Sequence, residues 1–184
     1  MIETTVTGNG AGEHCSEGTM HQQPFDVQAE ESGRVNAPAA TAYRLIADYT
    51  THHPAILPPA ITNLTVEQGG YGEGTVISFD VRLGGRSRRM RARISEPSEG
   101  VLLETDLDTG GVTTFIVTPD GDASRVTIRT EFTSAAGLTG WIERRFAPGM
   151  LRKLYRQELA NLDTYARQQG DAAAPLNDPA PVTG

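Results

Sequence analysis

The stretch Leu138–Ala166, LTGWIERRFAPGMLRKLYRQELANLDTYA, decides the architecture. Counting about 100° per residue from Leu151 gathers Ala147, Leu151, Leu154, Tyr155, Leu162, Tyr165 and Ala166 into one arc of a helix. Arg152, Lys153, Arg156, Asp163 and Arg167 fall on the opposite side, where water solvates them. An apolar stripe of this length needs a large partner, and the remaining chain offers a run of short strands. One residue breaks the stripe. Glu158 lies at about −20°, in the middle of the apolar arc, where an ionised carboxylate costs several kcal/mol unless it is paired or hydrogen-bonded.

Pro148-Gly149 divides the same stretch. A proline inside a helix removes one hydrogen bond and clashes with the preceding turn, at about 3 kcal/mol or more. The sequence therefore predicts a bend or break there, with Trp141 to Phe146 as a separately tilted segment. That segment is either a gate or a simple curve that wraps the helix around its partner.

Upstream of the helix, seven segments read as strands. Phe25 to Val35 alternates Val27, Ala29, Gly33 and Val35 against Gln28, Glu30, Ser32 and Arg34, with Glu31 misplaced on the apolar side. Asn36 and Pro38 mark the start of a helix that carries Ala39, Ala42, Tyr43, Ile46 and Ala47 to about Tyr49. The proline-rich stretch from Thr51 to Pro59 is a single turn at most. Ile61 to Glu67 is the second strand, and Gly69 to Gly74 a turn whose spacing and following strand exclude a dinucleotide cradle. From Thr75 the two-residue period is clear: Ile77, Phe79, Val81 and Leu83 share one face. After Gly84-Gly85, Met90, Ala92 and Ile94 alternate with Arg89, Arg91 and Arg93. Those arginines read as a wet face, with Asp80, Glu104, Asp106 and Glu131 as cross-strand partners. Val101 to Leu107, Val112 to Thr118 and Arg125 to Phe132 complete the set, joined by turn signals that include Pro119-Asp120-Gly121-Asp122.

Composition narrows the function classes. A net charge of −7 and a pI near 5.1 argue against a nucleic-acid surface and against a polybasic membrane anchor. Cys15 is the single cysteine, so no internal disulfide forms. No apolar run reaches the roughly 18 residues of a spanning helix, so no stable membrane insertion is expected, and a cytoplasmic location is the default. Residues 1–24 read as a disordered leader and 170–184 as a disordered tail, which leaves one domain over 25–169. His14, Cys15 and His21 in the leader lack a fourth ligand at zinc spacing, so no metal and no cofactor is expected.

One strand, a helical insert, six meandering strands and a long final helix make an α+β helix-grip fold, a seven-stranded curved antiparallel sheet wrapped around the C-terminal helix. Val35-Asn36-Ala37-Pro38-Ala39, Leu45-Ile46-Ala47-Asp48-Tyr49, Gly70-Tyr71-Gly72-Glu73-Gly74-Thr75 and Pro148 through Leu162 resemble the START-like SRPBCC superfamily, in its polyketide cyclase/dehydrase and lipid-transport branch. The resemblance spans roughly residues 25–168. It implies an apolar cavity between sheet and helix that holds lipids, sterols, polyketides or plant-type ligands. Some members are cyclases or dehydratases, and others only carry or sense ligands. It transfers no catalytic residue to this chain. The oxygenase branch is set aside, because adjacent His52 and His53 cannot supply its iron and cluster ligands.

Side-chain counting also favours a pocket, since one helical stripe covers a seven-stranded face incompletely. Phe79, Val81, Met90, Phe115 and Leu154 would line it, with Ile94, Val117, Val126 and Ile128 on the same sheet face. Ile56, Leu57, Trp141, Phe146 and Met150 would form its mouth. His53 lies near that mouth and is a candidate proton carrier, while Tyr71 is a candidate donor to a ligand carbonyl. The alternative for the histidines is a surface turn capped before Pro54. Glu158 is the second candidate acid; its alternative is a structural bond to Arg, Tyr or backbone. Three function classes follow: a carrier of a hydrophobic small molecule, a polyketide cyclase or dehydratase using the same cavity, and a co-chaperone-like interaction module without catalysis. The oligomeric state and the ligand are not legible.

Overall fold

The computed structural model describes residues 25–83 and 85–173. The expectations for the leader, including His14, Cys15 and His21, and for the tail beyond 173 lie outside the described residues. The order is β1 (Val27–Val35), α1 (Ala39–Ala47), α2 (His53–Ile56), β2 (Ile61–Gln68), β3 (Val76–Leu83), β4 (Arg86–Ser98), β5 (Val101–Asp106), β6 (Val112–Asp120), β7 (Ala123–Phe132) and α3 (Gly137–Ala173). The seven strands form one antiparallel sheet in the order β1-β7-β6-β5-β4-β3-β2. Each strand from β2 to β7 pairs with its sequence neighbour, and the chain returns once, when β7 pairs with β1. This is the helix-grip fold expected from the pattern.

Register fixes which side chains share the concave face. Phe79 stands opposite Met90, Leu102 opposite Phe115, Phe115 opposite Ile128 and Val117 opposite Val126. Directly opposed residues of an antiparallel pair point to the same side, so the expected inner face is confirmed. The alternation also corrects one reading. Glu104 stands opposite Ile94 and Thr113, and Asp106 opposite Ala92, so both acids point inward instead of serving the wet arginine face. Both faces of Val101 to Leu107 carry leucine or valine, and parity alone did not choose between them. On the outer face, Arg89 bonds Ser78 at 2.7 Å and pairs with Asp80 at 3.5 Å, while Arg91 pairs with Glu67 at 2.7 Å. Inward Asp106 meets Arg88 at 3.6 Å.

The closed end of the grip is packed by α1. Leu45, Ile46, Val35, Leu102, Val126 and Ile128 are each at most 1% exposed. The loop Gly69–Gly74 clamps the end of α1: Tyr49 N–H donates to the Gly70 carbonyl at 3.0 Å, and Gly72 N–H to the Ala47 carbonyl at 3.0 Å. Gly72 has φ 56°, and a Cβ there would run into the Glu96 carboxylate, which itself accepts from Tyr43 Oη at 2.6 Å. Only glycine satisfies both demands.

Helix α3 lies across the sheet with Leu154, Tyr155, Glu158, Leu159, Leu162 and Ala166 buried, the arc read from the sequence. Two expectations change. The helix runs through Pro148 without a break, and it extends past 169 to Ala173. Proline leaves only the Arg144 carbonyl without its helical donor, and Arg144 is an exposed residue. The misplaced Glu31 is half-buried and faces Arg156 of α3 at 3.6 Å, which resolves its position in the strand pattern.

Candidate functional site

A polar row crosses the concave face on a single rung of the sheet. Glu104 of β5 stands opposite Thr113 of β6, Thr113 opposite Thr130 of β7, and Thr130 opposite Ala29 of β1. The threonine hydroxyls bond to each other at 2.6 Å, and Thr130 also bonds the hydroxyl of Tyr155 from α3. The next rung toward the closed end, Leu102, Phe115 and Ile128, is apolar and buried. Toward the open end, Phe79 and Met90 are only half-buried. The polar row therefore lies within the buried inner face, since the next rung on its other side, with Ala92 and Asp106, is also buried.

Three further groups converge on Glu104. Tyr49, which follows α1 and is fully buried, donates its hydroxyl to Glu104 Oε1 at 2.6 Å. His53, at the first position of α2, is 2% exposed and places Nε2 3.9 Å from the same oxygen. Its ring stacks on Tyr49 with centroids 4.4 Å apart and meets Phe115 edge-on at 5.9 Å. The His53 Nδ1 lies 2.7 Å from the Ile46 carbonyl. A carbonyl only accepts, so Nδ1 carries the hydrogen and neutral His53 presents a bare Nε2 to Glu104. Burial, partly opposed by the bond to Ile46, holds the His53 pKa down at about 4.

Glu158 reaches toward the same row from α3 and is 4% exposed. Burial, reinforced by the nearby Glu104 carboxyl, pushes its pKa up to about 8, and no hydrogen bond offsets either effect. Burial likewise raises Glu104 to about 7, against the lowering influence of the Tyr49 bond. The Tyr49 hydroxyl is raised by burial and by Glu104, so it stays a donor. At neutral pH the cluster thus holds a protonated Glu158, a Glu104 poised near its midpoint and a neutral imidazole. Such a set can donate a hydrogen bond or proton to a carbonyl or hydroxyl and accept one in return. Among the described residues Glu158 makes no hydrogen bond.

The remaining sequence candidates divide. Ile56 is buried beside His53, while Leu57, Val81 and Met150 are half-buried and Leu154 is buried on the inner arc. Tyr71 is 56% exposed and forms an isolated bridge with Asp48, away from the polar row. Trp141 and Phe146 are 55% and 52% exposed. His53 is buried in the core and not in a surface turn. His52 instead sits at the surface, with Nδ1 3.0 Å from the Tyr165 hydroxyl. Tyr49 and Glu104 were not singled out as site residues. Glu104 shares parity with Leu102, which was the available signal, whereas nothing local distinguished Tyr49 from a helix-terminal core residue. A surface depression of about 400 Å³ lies where Asn36, Pro38 and Arg44 meet Ala166 and Arg167, outside this cluster. Among the described residues, no three of His, Cys, Asp and Glu converge as metal ligands.

Residues 26–167 match the family described as polyketide cyclase / dehydrase and lipid transport. The chain belongs to that family. No curated protein is significantly similar in sequence. The solution structure of the KanY protein is 31% identical, with a TM-score of 0.69, over 77% of this chain and 97% of that one. An aromatase/cyclase, ZhuI of Streptomyces sp. R1128, is 19% identical with a TM-score of 0.68, over 81% and 98% of the two chains. A START superfamily protein of Mycobacterium smegmatis is 14% identical, with a TM-score of 0.63, over 77% and 98%. The latter two likenesses are of fold. No helix among the described residues is long and apolar enough to cross a membrane.

Proposed function

We propose that this protein binds a hydrophobic small molecule between the concave sheet face and α3, and holds one oxygen-bearing end of it at the polar row. The observation that carries this reading is Glu158: a carboxyl group 4% exposed within the apolar stripe, next to a second carboxyl, with no hydrogen bond to a described residue. A buried group of that kind costs stability unless something satisfies it. Half-buried Phe79 and Met90 supply apolar contacts at the open end, and a ligand carbonyl or hydroxyl satisfies the acid. Native mass spectrometry of the purified protein, followed by solvent extraction, tests the reading. A co-purifying apolar compound is expected, together with enhancement of an apolar dye that the compound displaces and that Glu158→Leu weakens. A protein that carries nothing and enhances no dye sinks it.

A second reading uses the same cleft for cyclase- or dehydratase-type chemistry. It is favoured by the bare Nε2 of His53 facing Glu104 at 3.9 Å, beside the protonated acid of Glu158. The acid protonates a substrate oxygen while the Glu104–His53 pair removes a proton from carbon, so no external oxidant or metal is required. Turnover of poly-β-carbonyl substrates, lost in both His53→Ala and Glu158→Gln while ligand binding persists, separates this reading from carriage alone.

A further inference from the structure

The N-terminal half of α3 carries an apolar row that the described residues leave exposed. Leu138, Ile142 and Phe146 recur every fourth residue and are 75%, 46% and 52% exposed; Trp141, about 100° round the helix from Ile142 toward the Arg144 side, is 55% exposed. The orientation is set by Arg144. Its guanidinium bonds Asp26 Oδ2 at 3.1 Å and the Ser134 hydroxyl at 2.5 Å, so that side of the helix faces the sheet end. Counting about 100° per residue, Ile142 and Phe146 lie about 160° from Arg144 and point away from the sheet.

Charge is arranged around the row. Between Gly137 and Lys153 there are four cations, Arg144, Arg145, Arg152 and Lys153, and one acid, Glu143, in a chain of net charge −7. Glu143 lies toward the sheet side and accepts from the Ala135 N–H at 2.7 Å. Arg144 is engaged with Asp26, which leaves Arg145, Arg152 and Lys153 exposed beside the apolar row. Arg145 holds its charge 5.4 Å above the Phe146 ring. Lys153 is the chain's only lysine. A helix with Leu, Ile and Phe on one exposed side, an exposed Trp at its edge and cations beside them has the composition of one that lies in a bilayer interface. A second copy of this acidic chain would meet the cations less well than a continuous anionic surface does.

We propose that the outer face of α3, through Leu138, Trp141, Ile142 and Phe146 with Arg145, Arg152 and Lys153, docks the protein on an anionic lipid surface. The apolar side chains enter the headgroup boundary and the cations meet the lipid charge, each contributing roughly a fivefold gain in partition.

Trp141 is the only tryptophan, so the full chain reports its own docking. It is mixed with vesicles of phosphatidylcholine plus phosphatidylglycerol and with vesicles of phosphatidylcholine alone. The expected result is co-sedimentation with the anionic vesicles, a blue shift of tryptophan emission, and release at high salt. Ile142→Glu/Phe146→Glu should abolish partition, and Arg145→Glu/Lys153→Glu should reduce it by more than tenfold, each variant keeping the wild-type far-ultraviolet dichroism. No partition above the neutral vesicles, binding with unchanged emission, or undiminished binding by both variants overturns the proposal. So does a blue shift that follows protein concentration without lipid and tracks a dimer mass in sedimentation velocity.

Discussion

Replacing Glu158 with glutamine tests the central feature most directly, because the substitution keeps the shape and removes the ionisation. In the unfolded chain this carboxyl titrates at 4.5; in the fold, burial and Glu104 raise it to about 8. Between those values the unfolded chain loses the proton and the native protein keeps it. Native stability contributed by Glu158 is therefore complete below pH 4.5 and declines as the pH rises, levelling once the native group ionises above about 8. At about 1.4 kcal/mol per pH unit, the loss by pH 7 is at most about 3.5 kcal/mol, less whatever local relaxation and water entry recover. Glutamine has no such loss. Urea denaturation of wild type and Glu158→Gln from pH 5 to pH 9 should show near-equal stability at the acid end. By pH 7 the variant should lead by about 2–3 kcal/mol. Glu158→Leu should match or exceed the glutamine gain if that part of the cleft is dry. Glu104→Gln with Glu158 intact should shrink the pH dependence that Glu158 contributes, since Glu104 is the second cause of its shift. A stability difference between wild type and Glu158→Gln that is flat across this range would refute the argument, since the carboxyl would then ionise as freely in the fold as in water.

Two further outcomes follow from the same geometry. The His53 imidazole should stay neutral with the hydrogen on Nδ1 down to about pH 5. Because its native pKa is depressed, its stabilising contribution is complete above pH 6.5 and is lost as the pH falls from there toward about 4; nitrogen-15 chemical shifts of the ring check this, and a protonated Nε2 at pH 6 would contradict it. Gly72→Ala should destabilise by about 1–3 kcal/mol in thermal melts, from its φ of 56° and the contact with Glu96, and an unchanged melting temperature would show that the loop clamping α1 yields freely.

Much of the fold was legible because its signals are periodic and local. The alternation in β3, β4 and β7 and the arc on α3 each repeat over several residues, so single exceptions did not obscure them. Pro148 shows the limit of a local rule. Its cost is real, but the helix is held on both sides of it, by the Arg144 bonds to Asp26 and Ser134 before it and by buried Leu154 after it, and tertiary contacts carry the helix through. Glu158 was legible as an anomaly, since one charged residue in the centre of an apolar arc stands out without a structure. Its partner was not. Glu104 lies in a strand with apolar residues on both faces, and only pairing to Ile94 and Thr113 turned it inward.

The chain's sequence alone determined the number and order of elements, the inner face of most strands and the buried arc of the closing helix, because these depend on periods of two and 3.6 that any contiguous stretch displays. Tertiary structure decided what meets across them. Tyr49, His53, Glu104 and Glu158 come from a loop, a single helical turn, a strand and a long helix, and no spacing in the chain encodes their meeting. Their protonation states depend on that meeting too, since desolvation and the repulsion between two carboxyls exist only once sheet and helix close around them.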